Sequence, residues 1–167
     1  MGVNMKYYIK SKFFKIKEDF WVKNEYGEEE FFIDNKFLTF GLQVDIKKNN
    51  KIIYSVKEKI LTFLSNYNLY ENNNIIASVN QKFTFLKDKI VITSSKYDDI
   101  VIKGDLFSIN YEILQNNRII ATVKKELFSF TDSYYADIDF EDDAFILCLI
   151  VIIDNIIDKH NNLTINT

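Results

Sequence analysis

One cysteine, one histidine, four glycines and no proline occur among the 167 residues. The lone cysteine, Cys148, allows no disulfide within the chain, and its place in an apolar run marks it as a buried packing thiol. A structural zinc site needs three or four Cys and His ligands, and the chain holds two in total. A hydrolytic triad would depend on His160, near the C-terminus, and four glycines make no phosphate-cradling loop. A protein without catalytic chemistry, metal or cofactor is the expectation. The absence of proline agrees with uninterrupted strand ladders without requiring them.

A short phrase is present six times: Ile9-Lys-Ser-Lys-Phe13, Ile33-Asp-Asn-Lys-Phe37, Val56-Lys-Glu-Lys-Ile60, Val79-Asn-Gln-Lys-Phe83, Val101-Ile-Lys-Gly-Asp105 and Val123-Lys-Lys-Glu-Leu127. Successive copies start 24, 23, 23, 22 and 22 residues apart, so the fold is periodic. The unit between copies reads as a hairpin. Leu42, Val44 and Ile46 align with Ser65, Tyr67 and Leu69, and with Ile109, Tyr111 and Ile113; polar residues alternate with them, as in a strand with one buried face. Turns follow at Lys48-Asn-Asn-Lys51, Glu71-Asn-Asn-Asn74 and Gln115-Asn-Asn-Arg118, where asparagine tolerates positive φ. The return strands place Ile52, Tyr54 and Val56, and their equivalents Ile75, Ala77, Val79 and Ile119, Ala121, Val123, on one face, with Ser55, Ser78 and Thr122 on the other.

Two strands per period predict about twelve strands, the last from Ser133 to Ile138, with Tyr26-Gly27 as the first turn and a bulge or bend at Gly104. Twelve strands make only three propeller blades, which is too few, and a parallel β-helix has no hairpins between its rungs. An antiparallel sheet of this size closes or exposes long edges, so the expected fold is mainly β: a closed antiparallel barrel of about twelve strands.

The run Ala144 to Ile153 has no polar face, so it belongs in a protein core or a membrane. Ten apolar residues are too few for ~30 Å of hydrocarbon, and Asp154, Asn155 and Asp158 interrupt any extension, so no transmembrane segment is expected. Asp139 as cap, Glu141, Asp142 and Asp143 after it, and Lys159 with His160 bracket a helix over Asp139 to Asp158. The seven β-branched residues from Ile146 to Ile157 keep a buried strand as the alternative. Geometry favours the helix. A twelve-stranded barrel tilted ~40° is roughly 24 Å across and keeps an empty lumen of about 14 Å, which a helix 10–12 Å wide fills. Phe145, Leu147, Cys148, Leu149, Ile150, Val151, Ile152 and Ile153 are its expected core residues. A single domain over 5–160 follows, with 161–167 as a flexible tail. No charged start followed by an apolar segment marks a signal peptide, so the expected compartment is the cytoplasm.

Net charge is −3, unevenly spread: five lysines precede the first acid, Glu18, whereas nine acids from Glu126 onward face Lys159 alone. If residues 5–12 form the first strand, Lys6, Lys10 and Lys12 share a face with Tyr8, a candidate surface for anionic lipid head groups at a peripheral membrane location. A solvated, edge-protecting face is the plainer reading. Overall negative charge and the absence of a binding motif argue against nucleic acid. The acids Asp137, Asp139, Glu141, Asp142 and Asp143 lack the EF-hand glycine and glutamate, so helix capping suits them better than calcium. A binding or regulatory module with a protein or lipid partner fits these features best. A carrier of a hydrophobic ligand is a further alternative, should the helix leave the lumen.

The chain also resembles the LURP-one-related family, whose relatives are the tubby C-terminal domains and the phospholipid scramblases. The likeness runs over essentially the whole chain, on Tyr8-Ile-Lys-Ser-Lys-Phe-Phe14, Asn73-Asn-Ile-Ile-Ala-Ser-Val79, Lys82-Phe-Thr-Phe-Leu86 and Gly104-Asp-Leu-Phe107. Its most specific part is Phe128-Ser-Phe-Thr-Asp-Ser-Tyr134, followed by Glu141-Asp-Asp-Ala144 and the apolar run. The resemblance implies a twelve-stranded barrel around a C-terminal helix. It also implies that Met5 is the native first residue and that 1–4 is an extension. Tubby domains bind phosphoinositides and scramblases move lipids, but the palmitoylated cysteines and proline-rich leader of scramblases have no counterpart here.

Overall fold

Residues 4–10, 19–36, 39–60, 65–80, 89–106, 108–125 and 133–165 are described by the computed structural model. Twelve antiparallel strands run in order: β1 Met5–Lys10, β2 Phe20–Asn24, β3 Glu29–Asn35, β4 Gln43–Lys48, β5 Lys51–Lys59, β6 Asn66–Glu71, β7 Asn74–Asn80, β8 Lys89–Ser94, β9 Ile100–Asp105, β10 Asn110–Gln115, β11 Arg118–Lys125 and β12 Ser133–Ile138. Each pairs with its sequence neighbours, and β1 pairs with both β2 and β12, so the sheet closes into a barrel without an open seam. Helix α1, Asp143–Ile165, fills it.

The described residues of the repeated phrases lie toward the C-terminal ends of the odd-numbered strands, at one end of the barrel; the tight turns lie at the other. Asn49 and Asn50, Asn72 and Asn73, and Asn116 and Asn117 all have φ between 48° and 68°, the paired left-handed residues of type I′ hairpin turns. Just beyond each of these turns the register slips by one residue, between Ile46 and Lys47, Leu69 and Tyr70, and Ile113 and Leu114. The extra residues are Ile53, Ile76 and Ile120, and the slip corrects the simple alternation. Ile52, Ile75 and Ile119 do not share the inner face with Tyr54, Ala77 and Ala121, but are 55 %, 53 % and 44 % exposed. A bulge adds right-handed twist where a closing sheet needs it. At Gly104 the β9–β10 register is unbroken, against the expected bulge. The glycine is needed there for another reason: its φ is +132°, and a Cβ would sit 2.6 Å from the Asn110 carbonyl oxygen.

The helix begins four residues later than the sequence indicates and continues past Asp158 to Ile165. Residues 161–165 are therefore helical, not tail. Its apolar run is enclosed on every side: Phe145, Leu147, Cys148, Leu149, Ile150, Val151, Ile152 and Ile153 are each at most 3 % exposed. Helical backbone satisfies its own polar groups, which a lone strand in the lumen would not do, and this outweighs the β-branched propensity. The wall meets the helix with large side chains. Tyr54 and Tyr97 pack edge-on against Phe145, and Tyr67 donates a hydrogen bond to Asn155 Oδ1 at 2.9 Å. Glu58, pointing inward from β5, accepts from the Leu42 amide and pairs with Lys159 near the far end of the helix.

One polar residue sits uneasily in this core. Desolvation, with Asp158 one turn further on adding repulsion, pushes the Asp154 carboxyl up to about 7. The unfolded chain ionises this group near pH 4, while the folded chain holds the proton until about 7, so stability falls as pH rises across that window and is flat above it. Asp154→Asn should be more stable than the native chain at pH 8 by on the order of 2–4 kcal/mol, and nearly equal to it at pH 4. Urea unfolding at both pH values checks this; equal midpoints at pH 8 would contradict it.

Candidate functional site

The acids that crowd the start of α1 divide among separate partners. Asp142 is the helix cap: its Oδ1 accepts the Phe145 amide at 3.0 Å, while its Oδ2 accepts the Tyr54 hydroxyl at 2.5 Å and the Tyr97 hydroxyl at 2.7 Å. Lys96 reaches the same oxygen at 3.3 Å and Glu71 at 3.0 Å. Burial opposes the charge on Lys96, but Glu71 and Asp142 outweigh it and raise the pKa. Asp143 accepts from the Tyr7 hydroxyl at 2.5 Å; burial raises its pKa, with the Tyr7 bond opposing. Asp139 pairs with Arg118 at 2.5 Å outside the barrel mouth, so the cap is Asp142 and not Asp139. Among the described residues no group of three or more His, Cys, Asp and Glu side chains is arranged to hold a metal ion. This cluster fastens the helix to the wall.

The sequence-marked lysine face lies on the flank. Tyr7 and Ile9 are buried, while Tyr8 is 38 % exposed and Lys6 partly so. Lys6 sits 5.1 Å from the centre of the Tyr135 ring and 3.9 Å from Asp137. Lys10 pairs with Ser133 at the end of β1; Lys12 lies outside the described residues. What the sequence alone does not show is the continuation across neighbouring strands. Register places Lys124 of β11 opposite Tyr135 of β12, Tyr135 opposite Tyr8 of β1, and Tyr8 opposite Lys23 of β2. The result is a row of two tyrosines flanked by two lysines, with Lys6 stacked beside it. Lys23 and Lys124 are exposed, and the one acid within this stretch of strands is Asp137; Glu29, across on β3, lies 3.7 Å from Lys23.

The turn end is of opposite character. Glu25, Glu28, Glu71, Asp98, Asp99, Asp139, Glu141 and Asp142 there outnumber Lys48, Lys51, Lys96 and Arg118 by eight to four. The turn end and the flank therefore present exposed charge of opposite sign. The lumen, where a carrier would hold its ligand, is occupied by α1. Cys148 is enclosed with it, and burial pushes its thiol well above the ordinary value, leaving it unreactive. No described helix is long and apolar enough to cross a membrane.

Replacing the cap tests the role of the acid cluster. Asp142→Ala removes an N-cap and leaves two phenols short of an acceptor, so it should lower unfolding stability by about 2–4 kcal/mol. Asp139→Ala breaks only an exposed pair and should change stability by less than about 1 kcal/mol. Chemical denaturation of both variants measures the contrast.

Comparison with known proteins places this architecture. A crystal structure of a protein from Arabidopsis thaliana superposes with a TM-score of 0.68 at 12 % identity, covering 93 % of this chain and 92 % of that one, which establishes a shared fold. No curated protein matches the sequence. The model of the LURP-one-related family matches residues 5–154, all twelve strands of the barrel and the buried run of its helix. The chain belongs to the LURP-one-related family.

Proposed function

We propose that this protein is a non-catalytic binding module that docks, by the flank formed from β11, β12, β1 and β2, on anionic phospholipid head groups at a cytoplasmic membrane surface. The observation that carries the reading is the row Lys124, Tyr135, Tyr8 and Lys23, with Lys6 over the Tyr135 ring. Lysines at an anionic surface contribute about 1 kcal/mol each. Tyrosine suits the same boundary, with an apolar body and a polar tip. The filled lumen favours contact through the outer wall over enclosure of a ligand. The acidic turn end favours the flank over the barrel mouth as the point of contact.

Vesicle co-sedimentation tests this. The native protein should bind vesicles containing anionic lipid, fail to bind purely zwitterionic ones, and release as salt rises. The double variant Lys23→Ala with Lys124→Ala should bind roughly 30-fold more weakly. Lys51→Ala, at the turn end, should bind as the native protein does. Binding indifferent to anionic lipid content, or to Lys23 and Lys124, would overturn the proposal.

A further inference from the structure

The fifth repeat departs from the others. Where they carry a charged residue followed by a large apolar one, it has Gly104 and Asp105. This departure coincides with a groove of about 320 Å³ on the outer wall of β9, β10 and β11, lined by Lys103, Gly104, Asp105, Asn110, Glu112 and Lys124. The size is at the small end for ligand sites and suits a head group or a small metabolite. Gly104 has no side chain to fill the groove, and its close approach to β10 admits none.

The polar groups around the groove are also differently used. In β4–β5 the outward cross-strand pair is bonded, Ser55 to Asp45 at 2.5 Å, and in β6–β7 Ser78 bonds Asn68 at 2.9 Å. Glu112 and Thr122 hold the equivalent positions in β10–β11, yet no hydrogen bond joins them. Among the described residues, the side chains of Lys103, Asn110, Glu112 and Lys124 enter neither an ion pair nor a hydrogen bond; Asp105 is held by Ser108. Two cations, one acid and one amide thus line one hollow with their bonding capacity unspent.

Register gives their layout. Lys103 lies opposite Glu112, and Asn110 lies between Asp105 and Lys124. The two lysines straddle β10 on a diagonal, about 12 Å apart at the backbone, because two strand spacings combine with a two-residue offset along the strands, within the reach of two long side chains. Glu112 stands two residues further along the same strand. Two lysines thus flank β10 on one side of the groove floor, and the Glu112 carboxylate stands beside them. Phosphate alone would be repelled by Glu112 and by Asp105, which lies opposite Asn110; a phosphate ester that carries its own ammonium offers both signs of charge to a groove of two lysines and two acids.

We infer that the groove is a recognition site for an amino-alcohol phosphate group, with Lys103 and Lys124 on the phosphate and Glu112 on the ammonium. The inference rests on the membrane reading above for the source of the ligand, because Lys124 belongs to both the groove and the lysine–tyrosine row. A lipid head group and a free phosphoamine share this chemistry, so the test separates them.

Vesicles with equal mole fractions of phosphatidylserine or phosphatidylglycerol carry the same net charge, because serine adds an ammonium and a carboxylate together; of the two, only phosphatidylserine offers Glu112 a cation. The native protein should prefer phosphatidylserine about tenfold, the contribution of one charge-assisted contact. Glu112→Gln should abolish that preference, chiefly by strengthening phosphatidylglycerol binding as the repulsion is removed, and Lys103→Ala should weaken the binding of both lipids. Both residues are exposed, and circular dichroism confirms that the variants fold. Equal binding of both lipids by the native protein would overturn the groove assignment and leave the flank proposal standing. Binding to neither would overturn the flank proposal, and calorimetry with soluble glycerophosphoserine would then decide the groove. Heat of binding lost in Glu112→Gln would sustain it as a site for a free phosphoamine; absence of heat would overturn it.

Discussion

A helix that is apolar on every side has no stable place in water, and the rest of this molecule follows from enclosing it. An open sheet covers one face of such a helix; a closed barrel covers all of them. Enclosure also solves a problem for the wall, since twelve strands without a filling would surround a void. The junctions between the two parts are polar and specific. Tyrosines of the wall reach Asp142 and Asp143 at one end of α1 and Asn155 further along it, and Glu58 reaches Lys159. Apolar burial is non-directional and would tolerate the helix at several heights and rotations; these bonds select one.

The architecture was legible in the sequence because it is repeated. A phrase at intervals of 22 to 24 residues, with paired asparagines midway between several of its copies, marks strand, turn and strand, and β12 lies at Ser133–Ile138 as the spacing indicates. The details that escaped were those set by closure. Strict alternation puts Ile52, Ile75 and Ile119 inside, but each follows a tight type I′ turn, and the bulge one residue later turns it outward. Acids before a helix look interchangeable in sequence. Asp142 is the cap because Tyr54, Tyr97 and Lys96, remote in sequence, converge on it.

The candidate surface was legible only in part, for a related reason. Lys6 and Tyr8 share a face by the two-residue period of one strand, which sequence displays directly. Lys23, Lys124 and Tyr135 join them through cross-strand register, and the partners of Tyr8 lie 15 and 127 residues away. The groove at Gly104 was signalled only as a flaw in the repeat. In a periodic fold the repeated positions serve the shared framework. The flaw is where an individual protein departs from it, and here it opens a hollow in the wall.

Charge then fixes how such a barrel would meet a membrane. The mouth formed by the hairpin turns carries eight acids against four bases, so approach along the barrel axis from that side is repelled. The lysine–tyrosine row crosses four neighbouring strands and therefore runs around the wall rather than along one strand. A surface touching the whole row lies against the side of the barrel, and β9 and β10, next to β11, come to the border of the contact. Lys124 lies in both the row and the groove, so a head group entering the groove remains within reach of the surface that the row binds. On the proposed reading, long-range attraction by the row and discrimination by the groove would be successive stages of one encounter. Salt should weaken the first the more, because attraction between exposed charges is screened beyond about a Debye length while groups in direct contact lie well within it.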